Sequence, residues 1–571
     1  MKKIIISILG LFCMVVASQM LFAQERVYVS TDKECYVAGE SVWCSLYCLD
    51  EDGYSDLSSV AYLQFCSNEG VQSTMKVALV EGRGCGKFDI PFSFATGNYS
   101  IVAYTKKYGG NSVSPFNGKV ISIFNTLSSE RVKDGVEVVG SSESVASGVD
   151  VKSEGVGKVI IEAPHMGQIE NVTFPVKLYN KSENPLSLSV SVYNLDALAS
   201  MVGPKGYDNT SLLDRAGDFE TGEDVDYSGE LIRVKVSRKD GGKEETIGKK
   251  NLYLSALNGN IDLFISPIDA DGCAKYYTNN IYGKKDLVFD VADELNIAKS
   301  STVDGAPSYQ IQVIEKEYKH TFGQLPVLKI SESMNQALVA RGMNMQIARR
   351  FDADTLYNLM RMRGNPIGGE VNPIVYNLDD YTRFPVMEDV VREYVRGLRI
   401  RKFEKKVDFQ ISWESYVDNF GFANGQSLAL LDGVPVRDHK ILLDIDPLLV
   451  KQIVLYPRQI AINNFLFDGI VNFKTYKGDM GGVDLGSGVS IVNYKGVEYP
   501  LAFLGSRVEG NKEYPNYNNT IYWNPVVDID PMGTFEFDCV LPSYKGEFRI
   551  VVEGLDATGA PIYHTSTFEV K

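Results

Sequence analysis

Residues 26–50, RVYVSTDKECYVAGESVWCSLYCLD, alternate apolar and polar side chains, break at Ala38-Gly39 and resume from Val42 to Leu49. A period of two belongs to a strand with two unlike faces, and a glycine between two such runs marks a reversal of the chain. The pattern recurs in VAYLQFCSNEG (60–70), in MKVALVEGRGCGKFDIPF (75–92) and in GNYSIVAYTK (97–106). About seven short strands in roughly 100 residues, with turn residues at short intervals, predict a β-sandwich over 25–125.

The rest of the 571 residues divides by the same reading. Residues 126–157 are rich in Ser, Gly and charge and read as a linker. A second β domain is expected over 158–228, where Leu186, Leu188, Val190 and Val192 alternate strictly. A third spans 229–295. There Asp269-Ala270-Asp271-Gly272 lacks the later acidic positions of a calcium loop and reads as a hairpin turn.

Helical patterning is confined to a connecting region at 296–410: one segment from Ser331, and one placing Val390, Val391, Tyr394, Val395 and Leu398 on a single stripe. Lys402, Lys405 and Lys406 then fall at the end of that second helix, where positive charge suits the dipole. A small α+β unit follows at 411–480, with a hairpin turn at Asp432-Gly433, and a last sandwich at 500–571. The expected class is mainly β: tandem immunoglobulin-like sandwiches, a helical segment and one α+β unit. Each alternation block is taken as a separate body.

Lys2 and Lys3 followed by the apolar run Ile4–Val16 form an export signal over 1–24, with cleavage expected near Ala23 or Gln24. Its apolar core is shorter than the ~20 residues of a membrane span, and no later stretch approaches that length, so the mature chain is expected to carry no transmembrane span. Cys13 lacks the small residues that precede a lipid-bearing cysteine. The formal charge of −16 becomes about −18 once Lys2 and Lys3 are removed, a field that disfavours nucleic acid and anionic membranes outside local basic patches. Seven cysteines remain in the mature chain, Cys35, Cys44, Cys48, Cys66, Cys85, Cys273 and Cys539, and they read as small buried hydrophobes, with disulfides the alternative.

Chemistry is sparse. Gly84-Cys85-Gly86 invites comparison with a thioester, which needs a side-chain amide three residues after the cysteine; Phe88 stands there, and no other cysteine has a glutamine at that distance. Gly82, Gly84 and Gly86 instead suit a tight or bulged reversal that leads into a strand carrying Phe88 and Ile90 on one face. His165, His320, His439 and His564 are scattered without metal-ligand spacing, and there is no nucleophile elbow, phosphate-binding glycine loop or CxxC. No catalytic, cofactor or metal residue is assigned, no cofactor is expected, and the chain is expected to be non-enzymatic.

Two stretches resemble known families. Thr31, Asp32, Lys33, Tyr36, Gly39 and Glu40, with Pro91, Gly97, Tyr99, Ala103, Tyr104 and Thr105, resemble the N-terminal type of β-sandwich in alpha-2-macroglobulin-like proteins. That likeness implies a fold and no active site; the 158–228 and 500–571 domains resemble further macroglobulin-type sandwiches, and 229–295 a carboxypeptidase-regulatory-like domain. LALLDGVPVRD (428–438), IDPLLVKQIVLYP (445–457) and FDGIVNFKTYKG (467–478) resemble the plug domain of TonB-dependent receptors, at Asp432, Gly433, Pro435, Ile453, Gly469, Thr475 and Gly478. A receptor barrel of ~22 strands, each ~9–11 residues, needs far more chain than the 93 residues after Gly478, so an orphan plug is expected rather than a transporter.

These resemblances imply an exported protein of a Gram-negative envelope, periplasmic or associated with the outer membrane, that works by binding outer-membrane or envelope proteins. Partner identity and oligomeric state stay open. Two alternatives remain: a thioester-independent protease trap with a bait loop at 203–226 or 128–155, and a carbohydrate-binding envelope protein using Trp43, Trp413 or Trp523, although Trp43 sits in an alternating strand and reads as core.

Overall fold

The computed structural model describes residues 25–570 except 51–52, 109–117, 128–134, 140–157, 164–172, 203–223, 240–249, 258–260, 294–308, 316–323, 351–356, 360–371, 404–405, 414–420, 423–425, 487, 504, 507–516 and 543. The expected export signal over 1–24, with Cys13, lies outside these residues. The chain forms two compact units, one from residues 1–226, 318–360 and 498–571, the other from 227–317 and 361–497. Both are built mainly from β-strands, as expected.

The first unit holds two sandwiches. In one, strands Arg26–Thr31, Ser41–Leu49 and Arg83–Asp89 form a sheet that faces a five-stranded sheet of Cys35–Val37, Lys119–Phe124, Gly97–Tyr104, Val60–Ser67 and Gly70–Ala78. Val27, Val29, Cys44, Leu46 and Cys48 point into the core between them, with Leu63, Phe65, Ile101 and Ile121 opposite.

The second sandwich corrects the domain division. Strand Thr173–Asn180 lies between Val159–Glu162 and Thr534–Val540, and Leu186–Asn194 lies between Thr520–Ile529 and Gly546–Asp556. Residues 158–228 and 500–571 are therefore one body with one core, in which Leu186, Leu188, Val190 and Val192 pack on Ile550, Val552 and Phe568. Neither segment has enough strands to cover its own apolar face, and antiparallel pairing joins strands however far apart they lie in sequence.

All nine residues of Leu186–Asn194 are buried, including the serines. The opposite faces of the two sandwiches meet: Ser30 Oγ lies 2.6 Å from Ser189 Oγ, the Ser45 hydroxyl donates to the Pro525 carbonyl at 2.6 Å, and Tyr28 and Tyr47 pack on Leu555. The blocks are thus not separate bodies within this unit.

The linker reading of 126–157 is also corrected in part, since Val136–Val139 is a strand running parallel to Leu328–Ser331. The Asn335–Arg350 helix packs by way of Arg341, whose guanidinium is buried, pairs with Asp196 and donates to the Cys35 carbonyl at 2.8 Å.

In the second unit, the expected 229–295 domain is a seven-stranded sandwich that also takes one strand from the 296–410 region and one from far along the chain, at 489–495. Glu230–Arg238 lies between Cys273–Thr278 and Tyr309–Ile314, while Lys284–Asp293 pairs with Lys250–Ala256 and with Val489–Lys495. The Asp269–Gly272 turn carries the chain between the two sheets rather than closing a hairpin, because the strands on either side of it belong to different sheets.

The α+β unit begins earlier than 411. Its sheet runs in the order Ile374–Asn377, Val450–Ile462, Phe465–Thr475, Leu428–Leu431, Val434–Pro435, and helices Met387–Tyr394 and His439–Asp444 cover one face. On the other face, Leu428, Leu430, Ile460 and Phe467 share a core with Tyr253, Leu263 and Ile265 of the neighbouring sandwich. The expected helical stripe from Val390 to Leu398 is cut short: the helix stops at Tyr394, Gly397 takes φ +94°, and Leu398 opens the strand Leu398–Phe403. A left-handed glycine three residues past the last helical residue ends the helix whatever the apolar spacing beyond it.

Candidate functional sites

Cys85 lies within a strand. The reversal is at Glu81 and Gly82, with φ +51° and +72°, and Gly84-Cys85-Gly86 follow inside Arg83–Asp89. Their glycines answer a close approach instead: a Cβ on Gly84 would stand 2.7 Å from the Ala78 carbonyl oxygen, and one on Gly86 3.0 Å from Val77. The Cys85 thiol is half-buried, and burial pushes its pKa up to about 11, which disfavours the nucleophilic thiolate. All seven described cysteines are free thiols, six of them buried.

A polar cavity of about 230 Å³ lies wholly within the first unit. Its walls combine Asp32, Glu40 and Trp43, the Arg341–Arg349 stretch of the long helix, and Asn518–Thr520. Its charges answer one another. Asp32 accepts from the Trp43 backbone N–H at 3.0 Å and from the Tyr36 and Thr520 hydroxyls at 2.7 Å, and it pairs with Lys33 at 3.2 Å. Lys87 pairs with Asp89 at 3.3 Å, Arg341 with Asp196, and Arg349 rests over the Phe92 ring at 4.8 Å. Thr31, Asp32, Lys33, Tyr36 and Thr520 thus form a structural knot where the two sandwiches meet. The first four of these match the family pattern and read as architectural, and nothing in the sequence hinted at Thr520, whose partner lies 488 positions away.

Neither Trp43 nor Trp523 offers a sugar platform. Trp43 and Trp523 are 5% and 1% exposed and both pack against Phe503, with ring centroids 5.8 and 6.3 Å away. The side chain of Trp413 lies outside the described residues. So do His165 and His320, and most of both bait-loop segments; of those, 135–139 holds the strand already described. His439 is buried against Phe409, and its Nδ1 accepts from the Phe409 backbone N–H at 3.0 Å, a structural role. Among the described residues no group of three His, Cys, Asp or Glu is placed to hold a metal.

The Asp432-Gly433 turn has the positive φ pair, +51° and +85°, of a tight two-residue hairpin. The Asp432 carboxylate fixes the next strand end as well: it accepts from Thr475 N at 2.8 Å, Thr475 Oγ1 at 2.6 Å and Met480 N at 2.8 Å. Asp432, Gly433 and Thr475 are thus brought together, whereas Gly469 lies against Ile411.

Beside this knot stands an apolar surface that the sequence did not single out. Leu448 and Leu449, on a short turn capped by Asp446 at the Leu448 N–H, are 65% and 42% exposed. Tyr381 and Tyr476 are exposed in the same neighbourhood. Arg383 holds the turn in place by donating to the Pro447 and Val450 carbonyls at 2.8 and 2.9 Å and to the Tyr476 hydroxyl at 2.8 Å. The Leu448-Leu449 pair was visible in the sequence only as apolar residues; the capped turn that turns them outward was not.

The basic residues expected at a helix end lie instead on a hairpin, Leu398–Phe403 paired with Lys406–Trp413. Lys402 reaches back to Glu388 at 2.6 Å, Lys406 lies across from Phe403, and Lys405 is outside the described residues. Among the described residues no helix is long and apolar enough to cross a membrane.

No protein-family model matches the chain, and no curated protein matches it in sequence. Solved structures that align with it include the trypsin-activated alpha-2-macroglobulin of Escherichia coli, at 9% identity over 95% of this chain and 41% of that one, with a TM-score of 0.23. The Salmonella alpha-2-macroglobulin reacted with methylamine aligns at 10% identity over 96% and 39%, TM-score 0.24. An Escherichia coli adhesin aligns at 12% identity over 47% and 59%, TM-score 0.14. The chain spans about 40% of the length of these macroglobulins. Overlays this loose add nothing to the fold, which rests on the strand pairings above.

Proposed function

We propose that the chain is an exported, non-enzymatic protein of a Gram-negative envelope that acts by binding another envelope protein. In this reading the macroglobulin-like sandwiches are a rigid frame, and the plug-like unit presents the contact face toward an outer-membrane receptor or uptake complex. The observation that carries it is the Leu448-Leu449 turn. Two large apolar side chains are held in solvent by a capped turn and by an arginine with four hydrogen bonds, two to backbone carbonyls and two to the Asp379 and Tyr476 side chains. A preorganised apolar centre with tyrosine and arginine around it has the composition of a protein interface core. It also loses little conformational entropy on binding.

The resemblance at Asp432, Gly433, Pro435, Gly469, Thr475 and Gly478 supports the choice of a receptor-type partner. The test is Leu448→Asp with Leu449→Asp in the full chain, followed by crosslinked recovery of envelope proteins. The expected result is loss of a recovered outer-membrane protein while the circular dichroism spectrum is unchanged. Unchanged recovery contradicts the reading.

A further inference from the structure

We propose that the Leu398–Phe403/Lys406–Trp413 hairpin docks the chain on an anionic lipid surface, with Phe403 entering the headgroup region and the basic residues around it meeting lipid phosphates. Phe403 is 78% exposed, more than any other large apolar side chain among the described residues. It stands at the closed end of the hairpin, across from Lys406. Strand alternation puts Arg399, Arg401 and Phe403 on the exposed side, while Leu398 and Ile400 face the core beneath. Between Arg396 and Lys406 the sequence has six basic residues against one acidic, in a chain whose net charge is −16.

Positive charge on an edge strand has a simpler use, since it discourages strands of other molecules from pairing there. That use explains the arginines and leaves Phe403 unexplained, because an exposed aromatic at the tip invites association. An aromatic ring ringed by cations is the composition that partitions into an anionic headgroup layer. The net negative charge of the chain does not prevent this: at ~0.15 M salt charges are screened beyond ~8 Å, so the membrane meets the hairpin's own charge.

The experiment is co-sedimentation of the full chain with vesicles of phosphatidylethanolamine and phosphatidylglycerol, against vesicles of phosphatidylcholine alone, at about 0.1 M salt. Binding to the anionic vesicles at least about tenfold tighter is expected, weakened about tenfold by Phe403→Ala and again by Arg401→Glu with Lys406→Glu. Phe403→Trp is expected to shift its emission to the blue on the anionic vesicles only. Absence of binding, equal binding to both vesicles, or binding indifferent to Phe403→Ala overturns the proposal. So does salt-sensitive binding to polyglutamate with no vesicle binding, which would assign the hairpin to an acidic protein. The altered side chains are exposed, and circular dichroism verifies that each variant is folded.

Discussion

Lys119 Nζ lies 2.7 Å from Oε2 of Glu553, with the two side chains 0% and 2% exposed and 434 positions apart in the chain. The Tyr28 hydroxyl donates to the other carboxylate oxygen at 2.8 Å. Burial pushes the Glu553 carboxyl up, and Lys119 and Tyr28 pull it back. Removing one partner leaves an unanswered charge between the two sandwiches, so Lys119→Met is expected to cost about 3–5 kcal/mol in denaturant unfolding. Lys119→Met with Glu553→Leu is expected to recover part of that loss, because the two apolar side chains need no partner while the Tyr28 hydroxyl still loses its carboxylate acceptor.

The glycines flanking Cys85 give a graded prediction. Gly84→Ala drives a methyl against the Ala78 carbonyl oxygen, a backbone atom, and is expected to destabilise by about 1–3 kcal/mol. Gly86→Ala meets the side chains of Val77 and Met75 rather than backbone, at 3.0 Å and beyond, and is expected to cost less. Intact-mass measurement after methylamine treatment is expected to show no adduct, since Phe88 and not a glutamine stands three residues after Cys85.

Much of the first sandwich was legible in the sequence, because Val27, Val29, Cys44, Leu46 and Cys48 alternate with a second set of side chains. What that second set does was not legible. Tyr28, Ser30, Ser45 and Tyr47 alternate with the core set, and they bury against Ser189, Pro525 and Leu555. The clue was chemical: that face carries serine and tyrosine where a solvated strand would carry lysine and glutamate. The joining of 158–228 to 500–571 had no local signal, since alternation fixes which way a side chain points and says nothing about which strand lies alongside. At the α+β unit, Asp432-Gly433 announced its own turn. Ile374–Asn377 did not announce its place in the same sheet, being a four-residue edge strand whose partner begins at Val450.

Asp432→Ala is expected to destabilise by about 2–4 kcal/mol, because three donors, Thr475 N, Thr475 Oγ1 and Met480 N, lose one acceptor together. Asp432→Asn retains one acceptor oxygen and is expected to fall between. Thermal unfolding of the three proteins side by side measures this.

Asp290 predicts a pH dependence. Burial raises its carboxyl from 3.8 to about 6, against the pull of Arg437, whose guanidinium lies 2.5 Å away. From about pH 4 to pH 6 the folded chain holds a proton that the unfolded chain has released, so this group's contribution to stability falls as pH rises through that window. Asp290→Asn removes the term. The stability difference between variant and parent is expected to change by up to about 3 kcal/mol across the window, in favour of the variant at the upper end. His439, whose pKa burial lowers, contributes in the opposite sense, losing stability as pH falls below about 6.5, and it cancels in the comparison because both proteins carry it.

The claim that the protein acts by contact through its plug-like unit is tested most directly by photo-crosslinking in the native cell, with a photoreactive residue placed at Leu448. A discrete adduct with an outer-membrane protein, lost when Leu449 is changed to Asp, is the predicted result. Adducts that form equally from an unrelated exposed position such as Val80 on the first unit, or that survive Leu449→Asp, would contradict it.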